Sequence, residues 1–341
     1  MKHIYCLIIA LFPAISFGQL TIGGTNPINF VTMVLSSNNV FVSNYLYNGY
    51  NGAICYFGAN TPHMPFTSGI LMTTGNVTNA VGPNNIGNMS FSNGNGSYAP
   101  LSQLLHAETY DAAVLSFDAT PFGDTLSIEY IFASEEYPEY VGSQFADIMG
   151  IFISGPGIIG VQNIARLPDG SPIGVNYVNN GNPGWSETPA SPPVNPEYFE
   201  PSWPYSGYDV QYDGLTIPLI AKAVVIPNEK YRISIAIADG GDSSYDSGIF
   251  IREGGITASM NENSLTNQVN IWYNPSSQYV SIKLNEYMEN TTYSVVDLSG
   301  KTLEQAALSE NKTIDMSAYS SGMYLIRVEG KNGMLSKKII R

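Results

Sequence analysis

Charged side chains are scarce in this sequence, and basic ones are the scarcest. Only 12% of the 341 residues are charged, with 14 lysines and arginines against 28 aspartates and glutamates. Residues 19–265 hold 5 basic and 21 acidic residues, whereas residues 266–341 hold 8 basic and 7 acidic residues. Because binding phosphate requires lysine and arginine, the first region is not expected to bind nucleic acid or anionic membranes. Its surplus of carboxylates favours divalent cations instead.

Residues that form cross-links or carry common catalytic motifs are equally few. Cys55 is the one cysteine outside the N-terminal apolar run, which excludes an internal disulfide and indicates a buried thiol. His63 and His106 are too far apart for a recognisable zinc motif, and no G-x-S-x-G nucleophile elbow occurs. No later stretch approaches the roughly 18 to 20 apolar residues of a transmembrane segment. These absences argue against an enzyme of a common class and against a transmembrane protein.

The N-terminus has the organisation of a secretory signal peptide. Lys2 and His3 precede an apolar run from Ile4 to Phe17, and small residues occupy the positions that a signal peptidase reads. We therefore predict a signal peptide at residues 1–18 and a mature chain that begins at Gln19. Cys6 has no lipobox-like pattern around it, which argues against a lipoprotein.

The composition predicts an all-β protein. Glycine, proline, asparagine, serine and tyrosine are abundant, and these suit strands and loops better than surface helices. We read residues 19–258 as one jelly-roll-like β-sandwich domain and residues 259–266 as a linker. Predicted strands include 67–75, 124–132 and 231–238, and only 100–111 has a helical pattern.

Short alternating segments separated by turn residues fill the region from 267 to 341 and predict a small antiparallel sandwich. The predicted strands are 269–273, 279–284, 293–298, 313–316, 323–328 and 334–340. The Asn274-Pro275 turn, residues 293–301, residues 321–328 and the basic ending 337–341 resemble the type A C-terminal sorting domain of type IX secretion cargo. The resemblance implies an immunoglobulin-like sandwich, interaction with the type IX secretion machinery, and a protein that is secreted or held on the surface of a Gram-negative bacterium.

Three blocks of the first region resemble a second family. Residues 132–155, 212–216 and 235–251 are similar to the choice-of-anchor L domain, a bacterial surface module that precedes different anchoring signals. The resemblance implies a surface module and no particular reaction. Ala146 departs from the family pattern, in which a polar residue is expected before the aspartate, so we assign no ligand role to position 146.

Carboxylates in two of these blocks suggest a calcium site. Asp239, Asp242 and Asp246 lie in a Gly/Ser-rich loop, and Glu135 and Asp147 flank a second loop. Ca²⁺ takes six to eight oxygens from flexible loops, and the spacing is not that of an EF-hand. We assign these five residues as metal ligands. The alternative is that the aspartates cap turns by binding their own backbone amides.

The carboxylates also leave a catalytic alternative open. Glu135 and Glu136 are adjacent and point to opposite faces of a strand, so they cannot both act on one sugar. Either of them with Asp147 or Asp239 could form the pair that a polysaccharide hydrolase needs. We assign no catalytic residue.

An aromatic, proline-rich stretch from 181 to 214 is the candidate recognition loop. Aromatic faces on stiff loops suit stacking on sugars, and the residues assigned to this role are Trp185, Trp203, Tyr205 and Tyr208. The alternative is that the loop packs its aromatic rings onto the sandwich.

These patterns lead us to expect a secreted or surface-held binding and adhesion module, stabilised by Ca²⁺, with a glycan or a surface protein as partner. The alternatives are an extracellular polysaccharide hydrolase and a structural matrix protein without a specific ligand.

Overall fold

The computed structural model describes residues 20–27, 30–37, 39–61, 64–184, 188–202, 209–259, 269–285, 288, 290–297, 299–330 and 333–341. The predicted signal peptide, nearly all of the predicted linker, His63 and the four assigned aromatic residues lie outside these ranges. Within them, no helix is both long enough and apolar enough to cross a membrane.

Strands dominate the first domain, as the composition predicts. They are β1 (Thr21–Ile22), β2 (Val40–Asn48), β3 (Ile54–Gly58), β4 (Ser68–Thr73), β5 (Thr109–Pro121), β6 (Thr125–Ser134), β7 (Ile148–Ser154), β8 (Gln162–Asn163), β9 (Ile173–Gly174), β10 (Phe199–Pro201), β11 (Gly214–Thr216), β12 (Leu219–Val224), β13 (Tyr231–Gly240) and β14 (Ser247–Ser259). Two short helices, α1 (Val31–Leu35) and α2 (Ala99–Leu105), and 3₁₀ turns at Asn51–Ala53, Val77–Ala80 and Pro196–Tyr198 complete it.

These strands form two antiparallel sheets. Sheet A has the order β1-β3-β4-β14-β6-β11-β10, with β12 also paired to β6. Sheet B has the order β2-β5-β13-β7-β8, with β9 also paired to β7. Long strands such as β5, β13 and β14 lie in the middle of the sheets, where they have partners on both sides. The all-β class is confirmed.

The main core lies between the sheets. Along β13 the side chains of Ile233, Ile235 and Ile237 point into it and are fully buried, in the period-2 pattern of a strand. The outer faces are also partly covered, because Ala236 and Ala238 pack with Leu101 of α2, while Phe57, Phe250 and Tyr212 belong to a separate cluster on sheet A. The segments that cover the outer faces of the two sheets account for the length of this domain.

A β-bulge interrupts the pairing of β5 with β13. Ile237 pairs with Ala113 and Asp239 pairs with Tyr110, so β5 contains one more residue than β13 over this stretch. Asp111 lies in the bulge with a positive φ of 50° and is buried. Bulges bend a strand and redirect side chains, and they occur often beside functional sites.

The helical prediction for 100–111 is only half right. Helix α2 ends at Leu105 because His106 adopts a left-handed conformation (φ 58°), and the chain then enters β5 at Thr109. A left-handed residue after the last turn is a common helix terminator. Helix α1 was not predicted, since its five residues are too short to show a helical period.

The C-terminal region forms a separate pair of sheets with its own core. Its strands are β15 (Val269–Asn274), β16 (Tyr279–Leu284), β17 (Thr292–Asp297), β18 (Thr302–Ala307), β19 (Lys312–Asp315), β20 (Met323–Gly330) and β21 (Gly333–Ile340), with a 3₁₀ turn at Met316–Ala318. Strands β15-β16-β19 form one sheet and β18-β17-β20-β21 the other. Strand β18 was not predicted, because its side chains are almost all exposed and its sequence does not alternate.

The predicted buried thiol is confirmed. Cys55 on β3 is free and fully buried, and desolvation raises the pKa of its thiol to about 12. A neutral thiol in an apolar layer behaves as a small hydrophobic side chain.

Candidate metal centre

Three strand ends place aspartates together at one end of the sandwich. Asp239 lies on β13 at the next inward position after Ile237, so the apolar row of this strand ends in a carboxylate. Asp147 directly precedes β7, which is hydrogen-bonded to β13 in sheet B. Asp246 directly precedes β14 in sheet A. The carboxylates therefore lie where the open ends of both sheets meet.

Asp147 links the two sheets. Its Oδ1 accepts a hydrogen bond from the backbone N–H of Gly240 (3.1 Å), and its Oδ2 accepts one from the Ser247 hydroxyl (2.5 Å). The side chain is buried, and this desolvation raises its pKa even though both hydrogen bonds lower it. Asp147 is thus held rigidly by two different strands.

Asp239 is the least satisfied carboxylate of the group. It is 1% exposed, and neither of its carboxylate oxygens has a hydrogen-bond partner. Burial raises the pKa of Asp239 well above its ordinary value, the charge of Asp147 raises it further, and the nearby Thr74 hydroxyl opposes the shift. A buried carboxylate without partners is costly when ionised, so it stays protonated or acquires a cation.

Asp246 packs closely against Gly75. Its Oδ1 accepts from the Phe91 N–H (2.9 Å) and its Oδ2 from the Asn79 amide (3.4 Å). A Cβ added at Gly75 would stand 1.8 Å from Asp246 Oδ2, so glycine is required for this approach. Burial raises the pKa of Asp246 to about 7, which these hydrogen bonds only partly offset.

The two glutamates after β6 have different surroundings, as their adjacency predicts. Glu135 accepts a long bond from the Met89 N–H (3.4 Å) on Oε2, while its Oε1 has no partner. Burial and the charge of Asp213 raise the pKa of Glu135 to about 10. Glu136 is buried with Oε2 unpartnered, and burial and the charge of Asp147 raise its pKa well above the ordinary value.

Asp242 differs from the other assigned ligands. It is partly exposed, and its Oδ1 accepts a hydrogen bond from the Ser244 N–H (3.0 Å), which caps its own turn. Its charge still raises the pKa of Asp147 and of Glu136. Turn capping, the alternative role considered for these aspartates, therefore describes the observed contact of Asp242.

The assigned residues are neighbours but do not all surround one point. Charge interactions connect Asp246 with Glu135, Asp147 and Asp239. No three Asp, Glu, His or Cys side chains among the described residues converge closely enough to ligate one ion by themselves. In the described part of the first domain, lysine and arginine side chains form ion pairs with Asp118 and Glu129, which lie outside this cluster. The carboxylates thus lack cationic partners in the described region.

The sequence interpretation assigned no role to three further acidic residues of this end. Asp213, which precedes β11, and Asp111 in the bulge are each 1% exposed, and Glu139 has a buried, unpartnered Oε2. Asp213 stands in a block that resembles the second family, so its position before a strand was the available signal. No sequence pattern indicates the bulge that buries Asp111.

The four aromatic residues assigned to recognition lie in segments 185–187 and 203–208, outside the described ranges. Other aromatic residues of the same stretch are described. Tyr212 is buried in the sheet A cluster, Tyr198 packs against the main core, and Phe199 contacts Tyr137 with ring centroids 4.6 Å apart. These three pack onto the sandwich.

Three solved structures are similar to this chain at low sequence identity. A biofilm-associated protein BSP domain matches at 7% identity and TM-score 0.17, covering 85% of this chain and 60% of that one. A β-glucuronidase of an uncultured Clostridium sp. matches at 6% identity and TM-score 0.17, covering 72% and 37%. A GH2 β-galacturonidase of Eisenbergiella tayi matches at 8% and TM-score 0.18, covering 90% and 45%. The chain spans less than two thirds of each, and TM-scores this low carry no functional argument.

Family comparisons are more informative. No curated protein matches the chain. The choice-of-anchor L domain model matches residues 22–257, and the secretion system C-terminal sorting domain model matches residues 270–341. Both resemblances read from the sequence are thereby confirmed. The chain belongs to the choice-of-anchor L domain family and carries a type IX secretion sorting domain, which makes it a secreted or cell-surface protein of a Gram-negative bacterium.

Proposed function

We propose that the first domain is a surface binding and adhesion module whose open end is stabilised by Ca²⁺. The observation that carries the calcium proposal is Asp239, whose two carboxylate oxygens are buried and unpartnered beside Asp147. A divalent cation would neutralise this pair and satisfy oxygens that the described residues leave without donors. The family membership and the sorting domain support the surface role.

The donor set suits calcium better than a transition metal. All candidate ligands are oxygens, and Ca²⁺ also accepts backbone carbonyls, hydroxyls and water. Asp147 and Asp239 would supply the central carboxylates, with Asp246 on the side of sheet A. The remaining ligands would come from hydroxyls such as those of Ser247 and Thr74, from carbonyl oxygens and from water. Glu135 and Asp242 would contribute negative charge at the periphery of the site.

A glycan or a surface protein is the proposed partner of the module. Trp185, Trp203, Tyr205 and Tyr208 belong to a stretch rich in proline and free of lysine and arginine. Exposed rings on such a stretch would stack on the apolar faces of sugars. The described neighbours Tyr198, Phe199 and Tyr212 pack inward, so the proposal concerns only the four assigned rings.

Calcium binding is tested by thermal unfolding of the full chain in Ca²⁺ and in EGTA. Extracellular sites bind at about 0.1 to 1 mM, so millimolar Ca²⁺ should raise the midpoint reversibly. At a hundredfold excess over Kd the stabilisation is about 2.7 kcal/mol. Asp239→Asn should abolish most of the response, because it removes the least satisfied charge.

Two matched variants serve as controls. Asp242→Asn removes a charge from the same loop but keeps the turn cap, so the calcium midpoint should move only slightly to higher concentration. Glu229→Gln removes an exposed charge at the opposite end of β13 and should respond to calcium like the parent chain. Superimposable melting curves of the parent in Ca²⁺ and in EGTA would remove the calcium proposal.

The binding role needs a separate measurement. The full chain should bind on a glycan array or to a surface protein without changing soluble polysaccharides. Release of reducing ends from a polysaccharide would instead identify a hydrolase. If the chain shows neither binding nor turnover, the remaining interpretation is a structural matrix component.

A further inference from the structure

A cavity of about 250 Å³ lies beside β10 and β11, close to the acidic end of the sandwich. Aromatic, proline and polar residues line it: Tyr137, Pro138, Asn180, Gly181, Pro183, Phe199, Pro201 and Asp213. We call it the Asp213 cavity. Its described lining includes one carboxyl group, that of Asp213, and no lysine or arginine.

Asp213 is held in a fixed orientation by a chain of amides. Its Oδ1 accepts from the Asn84 amide (2.8 Å), and the Asn84 carbonyl oxygen accepts in turn from Gln211 (3.1 Å). Asp213 is 1% exposed, and its Oδ2 has no hydrogen-bond partner. One carboxyl oxygen is therefore bound by the protein, and Oδ2 has no partner among the described residues.

The aromatic wall is equally fixed. The rings of Tyr137 and Phe199 meet at 4.6 Å between centroids and 55° between planes. Both press on Gly214, where an added Cβ would stand 2.6 Å from the Phe199 ring and 2.7 Å from the Tyr137 ring. The Tyr137 hydroxyl donates to the Val178 carbonyl (2.7 Å), which fixes its ring.

Two further carboxylates reinforce the negative potential at Asp213. Glu135 and Asp213 are close enough for their charges to interact, and the same holds for Asp213 and Glu139. Glu135 Oε1 and Glu139 Oε2 are also buried and unpartnered. A cation in the cavity would favour ionisation of Asp213, which burial and the charge of Glu139 oppose.

We propose that the Asp213 cavity binds an alkylammonium group, with its N–H groups donating to Asp213 Oδ2 and its carbon chain against Tyr137 and Phe199. An ammonium is satisfied by one carboxylate at hydrogen-bond distance and by ring faces within about 6 Å. A metal ion needs several oxygens around one point, and the described lining of this cavity supplies one carboxyl group, that of Asp213. A neutral sugar would leave Asp213 protonated, because burial raises the pKa of this group to about 8, whereas an ammonium favours its ionised form.

We assign the ammonium to a lysine side chain of a partner protein, because its carbon chain can lie against the rings of Tyr137 and Phe199. An amino sugar carries its ammonium directly on the sugar ring, without such a chain, and is the other outcome of the test. The inference thus rests on the proposed function and specifies what one of its sites recognises. It does not require calcium, so the two proposals fail independently.

The test is calorimetric titration of the full chain with Nα-acetyl-lysine methylamide and with glucosamine. Matched neutral probes, Nα-acetyl-norleucine methylamide and glucose, have similar size without the charge. We expect the lysine probe to bind about tenfold more tightly than its neutral partner, since a charge-assisted hydrogen bond is lost in the neutral probe. Tighter binding of glucosamine than of the lysine probe would overturn the assignment to a lysine side chain.

Two variants locate the site. Asp213→Asn keeps an oxygen for the Asn84 amide and should weaken amine binding about tenfold. Phe199→Leu should weaken it by a smaller factor while affecting both amines, and Glu229→Gln should have no effect. Melting curves in Ca²⁺ and in EGTA verify that each variant is folded.

Equal binding of charged and neutral probes, or undiminished amine binding by a folded Asp213→Asn protein, would overturn the inference. So would the absence of binding by both amines at millimolar concentration. If calcium still stabilises the same samples, the proposed function is not affected by the amine result. If calcium does not stabilise them, the calcium proposal fails for a reason of its own.

Discussion

Because several aspartates are buried, we predict that the free energy of unfolding of the calcium-free protein falls as the pH rises towards neutrality. For Asp246 the ordinary pKa is 3.8 and burial raises it to about 7 in the folded chain. Between these values the folded state holds a proton that the unfolded state has released. Because the unfolded state binds fewer protons in this window, the free energy of unfolding falls with rising pH. This is opposite to the behaviour of a carboxylate stabilised by an ion pair.

The magnitude follows from the same shift. Each proton held only by the folded state changes the free energy of unfolding by about 1.4 kcal/mol per pH unit. From pH 5 to pH 7, Asp246 alone accounts for a loss of about 2 kcal/mol, which lowers the melting temperature of a domain this size by about 4 to 8 °C. Asp213, with a pKa raised to about 8 by burial, adds to the loss over the same range.

The assay is calorimetric unfolding in EGTA at several pH values, comparing the parent chain with Asp246→Asn and Glu229→Gln. Asparagine resembles the protonated aspartate, so the first variant should match the parent near pH 5 and exceed its stability at pH 7. Glu229→Gln makes the same change of charge at an exposed site and should retain the full pH slope. An Asp246→Asn slope equal to that of the parent would refute the reasoning, as would a parent stability that is flat or rising over this range.

Three further outcomes are expected. Deleting residues 267–341 should leave the first domain folded but retained in the periplasm, and its undiminished appearance in culture medium would contradict the sorting assignment. Trp185→Ala and Trp203→Ala should each weaken glycan binding with the melting temperature nearly unchanged, whereas a fall of several degrees without any binding effect would favour packing. Gly75→Ala should destabilise the first domain by about 1 to 3 kcal/mol and weaken its calcium response, because the new methyl group collides with the Asp246 carboxylate. Calorimetry in Ca²⁺ and in EGTA measures both effects.

Much of the fold could be predicted because alternation and turn residues are local signals. Residues 279–284 alternate and form β16 over the same range, and residues 231–238 form most of β13. The exposed strand β18 has no apolar face to alternate with a polar one, so its sequence does not distinguish it from a loop. The second half of the predicted helix failed because the left-handed conformation of His106 is not encoded by periodicity.

The site could be predicted only in part, for a related reason. Residue types indicated Asp239, Asp246 and Asp147, because acidic residues in glycine- and serine-rich segments suit a cation site. Their burial depends on which strand ends meet, and that is decided by the pairing of β13 with β7 in sheet B and by the packing of these strand ends on the start of β14 in sheet A. Asp111 and Asp213 join the same end through a bulge and a distant strand. The bulge has no signal in the neighbouring sequence, whereas Asp213 stands in a block that resembles the second family.

The hydrogen bond from Ser247 to Asp147 would have a mechanical consequence in a protein that is pulled from its C-terminal side. Strand β14 runs from Ser247 to Ser259 with β4 and β6 on its two sides. Tension transmitted from the sorting domain side enters this domain at Ser259, and it must disrupt the pairing along β14 before it reaches Ser247. The contact with sheet B lies at the far end of that path. A cation bound there would stabilise the end of β14 that detaches last. Calcium should therefore raise the force needed to detach β14 completely more than the force at which its pairing near Ser259 first breaks.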